Sequence, residues 1–290
     1  MKPPAFKYVR VRSVEEALAA LSRHGVEAKI LAGGQSLVPM MNFRLAYPQV
    51  LVDINPVREL DYIKVDNGRI RIGATTRQRS VERSDQVKKG CPILAEGVKW
   101  IGHPQIRNRG TVGGSLVHGD PSAELALIAT LLDAEFVIQG ADKPRRSNAA
   151  EFFADFMTTQ IAEGEILTEV SYPTAPPRSG WGFQELCIRH GDFAIVAAAV
   201  QITLDAQGRC REVRVAVGGA GPKPLRIRGA EKALVGSDGG ADALAAAAAC
   251  VPDEVDPTGD FKGNEAYRRA MARVFVRRSL DQAWAMAKRS

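Results

Sequence analysis

Cysteine is scarce and scattered in this chain of 290 residues. Cys91, Cys187, Cys210 and Cys250 lie far apart and form no CxxC pair. Such spacing suggests neither a zinc site nor iron–sulfur ligation, and isolated thiols fit a reducing cytosol. Aromatic residues make up only 6% of the chain, and the net charge of +6 is spread through pairs such as Arg145-Arg146 and Arg277-Arg278. Without a basic stripe interleaved with aromatics, nucleic acid is not an expected partner. An acidic cofactor or an acidic protein accounts for the excess equally well. No apolar run reaches the length of a membrane span, and the start, MKPPAFKYVRVRS, has no secretory apolar segment. A cytoplasmic location is expected. The usual nucleotide signatures are also missing: there is no GxGxxG opening a βαβ unit and no GxxxxGK[ST]. NAD on a Rossmann fold and ATP on a P-loop are therefore disfavoured. No Ser/His/Asp set and no paired carboxylates are recognisable, so the chain shows no substrate chemistry of its own.

What is present is an ordinary globular composition, 45% hydrophobic and 25% charged, long enough for two or three packed units. SVEEALAALSRHG (13–25) predicts an amphipathic helix with a Ser13…Glu16 capping box and Gly25 at its C-terminal cap. AKIL (28–31) and VLVDI (50–54) read as strands. YIKV-DNG-RIRIG reads as a hairpin turning at Asn67-Gly68. Helices are predicted near 80–87 and 92–101, then a polar, glycine-rich loop over 102–120. Asp120-Pro121 resembles an N-cap and first-turn proline for the helix SAELALIATLLD. Strands at 134–138 and 166–172 close this unit, and PTAPPRSG (173–180) reads as a linker.

Beyond the linker, strands are predicted near 181–189, 193–204 and 211–218, the last two joined by an Asp205…Gly208 turn. Helices follow near 227–235, 240–249 and 264–288. The last carries Tyr267, Met271, Val274, Leu280 and Trp284 on one broad face, and its basic excess reads as a solvated face or as a docking surface for an acidic partner. This grouping indicates an α+β chain rather than a doubly wound sheet, divided at 1–56, 57–176 and 177–290.

Two short segments share a chemistry: AGGQS at 32–36 and TVGGS at 111–115. Successive backbone N–H groups in such turns can form a positively polarised nest, with hydroxyls as extra donors and no side chain to hold an anion away. A single such loop is equally well a tight turn. Two of them, in adjacent units, point to a cofactor containing a diphosphate held in the crevice between.

The order KILAGGQSLVPMMNFRLAYPQVLVDI, WIGHPQIRNRGTVGGSLVHGDPSAEL and RHGDFAIVAAAV resembles the FAD-binding medium subunit of the molybdenum hydroxylases, the xanthine dehydrogenase and carbon monoxide dehydrogenase type. The likeness covers essentially the whole chain and is nearest to the bacterial three-subunit enzymes. It implies a para-cresol methylhydroxylase-type FAD domain of two subdomains, followed by a C-terminal α+β domain of antiparallel strands and helices. It also implies FAD in this chain, and a molybdopterin–Mo centre and two [2Fe–2S] clusters in large and small partner subunits, assembled as a dimer of heterotrimers. By the same resemblance Ala32, Gly33, Gly34, Gln35 and Ser36, flanked by Leu31 and Leu37, would hold the FAD diphosphate from one side. Thr111, Val112, Gly113, Gly114 and Ser115 would do so from the other. Ile101 would pack on the cofactor, Glu124 would meet its polar groups, Leu167 would line the flavin, and Asp120 is a further candidate or simply a helix cap. Gln184 stands where many relatives carry lysine, and Phe193 where several place tyrosine near the isoalloxazine. His103 and His118 lie in the same region but lack ligand spacing; Arg107 and Arg109 read as solvated charges or as diphosphate or partner contacts. The rival readings are a self-contained flavin oxidase or dehydrogenase and a non-redox binding module.

Overall fold

A computed structural model describes residues 1–290. The first sheet is small and parallel. β1 (Lys7–Arg10) and β2 (Ala28–Leu31) flank the central β3 (Val50–Asp53), in the order β1-β3-β2. The sequence reading did not anticipate β1. Between β1 and β2 runs α1 (Val14–His24), where Ser13 Oγ accepts from the Glu16 N–H at 3.1 Å and the Glu16 carboxylate accepts from the Arg12 N–H at 2.7 Å. The second half of the box thus closes one residue earlier than the motif predicts. A short helix, α2 (Leu37–Asn42), leads from β2 toward β3.

The second sheet is antiparallel with five strands. Its order is β4 (Ile63–Asp66), β5 (Arg69–Gly73), β10 (Ile166–Pro173), β6 (Glu135–Gln139) and β7 (Arg145–Asn148). Asn67 and Gly68 both take positive φ, 48° and 71°, as the two-residue turn between β4 and β5 requires. The helix predicted near 80–87 is two helices, α3 (Gln78–Arg83) and α4 (Asp85–Gly90). They break at Ser84, which leaves helical geometry to cap α4. α5 (Pro92–Gly97) follows.

The predicted loop over 102–120 is mostly helical, holding α6 (Pro104–Arg109) and α7 (Val112–His118). Asp120 does not cap the next helix either. Its Oδ1 accepts from the Ser122 N–H at 2.8 Å in a separate turn, and the N-cap of α8 (Glu124–Leu131) is Ala123. Every residue of α8 is buried. α9 (Ala149–Phe152) and a two-stranded ribbon, β8 (Phe153–Asp155) with β9 (Thr158–Thr159), complete this part.

The proline-rich stretch is shorter than predicted and is fastened down, with Thr174 N–H bonded to Gly68 O and Ala175 N–H to Gly90 O. A third, antiparallel sheet then forms from β11 (Ser179–Leu186), β12 (Val196–Leu204), β13 (Cys210–Gly218) and β14 (Leu225–Arg226). One face, through Phe183, Ala197, Ala199 and Ala216, joins the core around α5 and α8. The other is covered by α10 (Arg228–Leu234), α11 (Ala241–Ala249), α12 (Val251–Glu254) and α13 (Glu265–Ala287).

The face predicted for α13 is partly wrong. Tyr267 is exposed and Met271 and Val274 are only half-buried, while Ala272, Phe275, Ser279 and Ala283 point inward beside Leu280 and Trp284. The reason is backbone contact. A Cβ on Gly180 or Gly182 would fall 2.1 Å from Ala283 O or 2.0 Å from Ser279 O, so small residues rather than large ones set the interface. No helix is long and apolar enough to cross a membrane.

Candidate cofactor-binding site

The parallel pairing of β2 with β3 stops at Leu31 opposite Asp53, and the chain then turns into α2. In that turn the carbonyls are consumed one after another. Asn55 Nδ2 donates to Ala32 O at 2.7 Å, Gln35 Nε2 to Gly33 O at 3.0 Å, and the Val38 N–H to Gly34 O at 3.1 Å. None of the N–H groups of Ala32, Gly33, Gly34, Gln35, Ser36 and Leu37 donates to a protein acceptor. Gly34 sits at φ +74°, where a side chain would be strained. Six consecutive free amides beside sorted carbonyls make a positively polarised concavity, suited to an anion with several oxygens.

The second motif is built differently. Thr111 caps α7, its Oγ1 accepting from the Gly114 N–H at 3.1 Å. Val112, Gly113 and Ser115 donate to Thr76 O, Ala74 O and Thr111 O. All four amides from Val112 to Ser115 are therefore committed inside the protein. Gly113 is required by close packing, since a Cβ there would lie 2.6 Å from the Ala74 methyl.

The two motifs nevertheless touch. A Cβ on Gly33 would lie 2.5 Å from Arg109 O and 2.8 Å from Gly110 Cα, and one on Gly114 would lie 3.6 Å from the Ala32 methyl. A polar strap ties the same elements together. Arg77 donates to Asn55 Oδ1 at 2.6 Å and to Arg109 O at 2.5 Å, while Asn55 holds Ala32 O. Burial, with Arg109 adding to it, pulls the Arg77 guanidinium below its usual pKa. Asp53 supports Asn55 from beneath. Burial alone would raise its pKa, but hydrogen bonds from Tyr8 and Asn55 outweigh that and hold it low.

Around this junction the other predicted residues separate. Ile101 is half-buried and its carbonyl takes a bond from Arg107. Arg107 is neither solvated nor free to meet a diphosphate. It is 6% exposed and bonded to Glu82 at 2.9 Å and to Ile101 O and Gly102 O. Arg109 is exposed and contributes its carbonyl. His103 is exposed and packs on Gly191, and His118 ends α7. Leu167 lies within the core at 3% exposure. Gln184 points toward α13 and bonds Gln282 at 3.0 Å, away from α8. Phe193 is 65% exposed, with the Lys262 ammonium 5.7 Å from its ring centre.

Sequence reasoning missed Glu185. It lies next to Gln184 but on the opposite face of β11, the face of Trp181 and Phe183, where burial and the negative charge of Glu124 on α8 raise its pKa. Strand alternation is the signal that finds it, since period two puts a carboxylate in line with two aromatics on a buried face.

Residues 4–175 match the FAD binding domain in molybdopterin dehydrogenase, and residues 181–283 the CO dehydrogenase flavoprotein C-terminal domain. The chain is 43% identical to the 6-hydroxypseudooxynicotine dehydrogenase complex subunit alpha of Paenarthrobacter nicotinovorans, over 98% of this chain and 96% of that one. It is 36% identical to the carbon monoxide dehydrogenase medium chain of Hydrogenophaga pseudoflava, over 98% and 99%. The solved carbon monoxide dehydrogenase from Hydrogenophaga pseudoflava that lacks the Mo-pyranopterin moiety superposes with a TM-score of 0.96 at 38% identity, covering 98% of this chain and 99% of that one.

Proposed function

Because the chain belongs to the FAD-carrying medium subunits of the molybdenum hydroxylases, we propose that it is the electron-transfer subunit of such a complex. It receives electrons from two [2Fe–2S] clusters of a small subunit and passes them to a terminal acceptor. Substrate is hydroxylated in a separate large molybdopterin subunit, the classes in view being an N-heterocycle, a purine or an aldehyde. The relative named for 6-hydroxypseudooxynicotine favours the first of these. Bound FAD supplies the redox chemistry, since a flavin takes electrons singly from clusters and delivers them singly or in pairs.

The observation that carries this reading is the row of six free amides from Ala32 to Leu37, closed on its far side by α7. These amides would hold the diphosphate, with Ser36, Thr111 and Ser115 hydroxyls beside them. Gly33 lets the row close on the end of α6, and Gly114 lets the Thr111 cap close. Ile101 and Phe193 would border the ring system, and Glu124 the polar groups. The sheets at 7–53, 63–173 and 179–226 support a division into 1–56, 57–176 and 177–290. Val38, Phe43, Leu45 and Tyr47 are exposed just after the amide row, and an apolar patch of this kind favours a partner subunit on that side. A cytoplasmic dimer of heterotrimers fits these features.

The test is purification of the assembled complex with its flavin content measured, followed by mixing with substrate under anaerobic conditions. The reading expects one FAD per chain, reduced only when the cluster subunit is present. A colourless complex rejects it. Flavin reduction in the isolated chain by an organic donor would instead favour a stand-alone flavin dehydrogenase.

A further inference from the structure

Glu185 is 7% exposed, and neither of its carboxylate oxygens has a hydrogen-bond partner. Glu124, facing it from α8, is 8% exposed. A buried carboxylate without partners is among the most costly arrangements in a protein, and such a site responds by holding a proton. The surroundings reinforce this. The strand neighbours of Glu185 are Ala197 and, one strand on, Gly218, which carry no charge. Asp120, before α8, adds negative charge at Glu124, and Arg107 on α6 is the one cation that offsets it. Arg107 is itself already bound to Glu82. Cys187 and Asp192, beyond the end of β11, complete the set. Burial pushes both glutamates far above the ordinary carboxylate range; negative charge on Glu124 raises Glu185 further, and Asp120 does the same to Glu124.

The pair is linked to the amide row through α6. Arg107, the cation facing Glu124, sits on α6, and the carbonyl of Arg109 on that same helix is what Gly33 packs against.

We propose that Glu124 and Glu185 form a proton-holding pair whose protonation follows the charge on the neighbouring flavin. In the alkaline range where the pair is ionised while the flavin is oxidised, the negative charge of electrons arriving from the clusters favours the neutral acid. One proton is then drawn from solvent and forms an O–H bond on the pair; when the electrons leave, that bond breaks and the proton returns to solvent. No bond to the flavin forms. This rests on FAD binding as proposed above: Glu124 borders the cofactor's polar groups, and Glu185 acts through its charge, as a positioning residue.

The experiment is a potentiometric titration of the flavin in the assembled complex over about pH 6 to 10, the range in which a buried carboxyl titrates. Wild type, Glu185→Gln and Glu124→Gln are compared, with FAD content measured first. The wild-type midpoint potential is expected to fall more steeply on the alkaline side, as the pair becomes an anion that disfavours electrons. Both variants are expected to lose that extra segment. The oxidised-minus-reduced infrared spectrum of wild type should also show a carboxylic C=O band that Glu185→Gln removes. Identical pH slopes in wild type and FAD-loaded variants, or no such band, overturn the proposal while leaving FAD binding intact. Absence of FAD from the wild-type complex overturns the functional reading itself.

Discussion

AGGQS and TVGGS look alike, yet the structure uses them in opposite ways. From Ala32 to Leu37 every amide is free while the carbonyls of Ala32, Gly33 and Gly34 are taken; from Val112 to Ser115 every amide is spent within the protein. Gly33 of the first segment lets the amide row close on Arg109 O and Gly110, and Gly34 supplies the positive φ of the turn. Gly113 of the second exists so that α7 can lie on Ala74, and Gly114 so that the Thr111 cap can close, a Cβ there falling 2.6 Å from Thr111 Oγ1. A glycine pair therefore says that backbone must come close to something. Whether that something is an anion or the next piece of chain is decided by where the carbonyls go.

The comparison breaks or sharpens under substitution, and the largest effect is expected at Gly33. A valine there would push against Arg109 O and Gly110 Cα, parting the amide row from α7. FAD affinity is expected to fall about 100-fold or more, the equivalent of losing one or two charge-assisted hydrogen bonds. Retention of stoichiometric FAD after gel filtration of Gly33→Val would remove the amide row from the site. Next comes the strap. Asn55→Ala frees Ala32 O and leaves Arg77 half-buried without that acceptor, so affinity is expected to drop about tenfold, with a melting temperature lower by a few degrees. Calorimetry with and without added FAD separates the two effects.

Thr111→Ala is the counter-test. It removes a helix cap and is expected to cost about 1 kcal/mol of stability while changing FAD affinity much less than Gly33→Val. Equal FAD loss in the two variants would mean that the motifs are symmetric after all. The smallest effect concerns acid. The Asp53 pKa lies below its unfolded value of 3.8, so its contribution is full above that pH and is lost as pH falls through the lower folded value. FAD content should stay flat from neutrality to about pH 4 and decline only below it. In Asp53→Asn that last decline should flatten.

Much of the scaffold was legible because local chemistry decided it. Ser13, the Asn67-Gly68 turn and the Asp205 turn each use a side chain or a glycine for a reason contained in four residues. The candidate site was half legible. AGGQS follows a strand and contains a residue at positive φ, as a turn into a nest should. TVGGS was misread because two glycines lower helix propensity, whereas the Thr111 cap and packing on Ala74 outweigh that loss. Arg107 read as a loop charge because its partner, Glu82, lies 25 residues earlier. Glu185 was hidden for the same reason: Glu124 is distant in sequence and meets it only when the third sheet closes on α8. Contacts across long stretches of chain leave no periodic trace, and both buried charges are of that kind.

One feature of the third sheet bears on how the protein is made. α13 rests on β11 with glycine against peptide backbone, and its Phe275, Leu280 and Trp284 fill the core that β12 and β13 line. While a ribosome is still adding residues 265–287, only α10 to α12 shield the oily side of those strands, and the part that α13 fills stays uncovered. Folding of this part is therefore delayed rather than progressive, and the nascent sheet is a natural client for chaperones until its closing helix emerges.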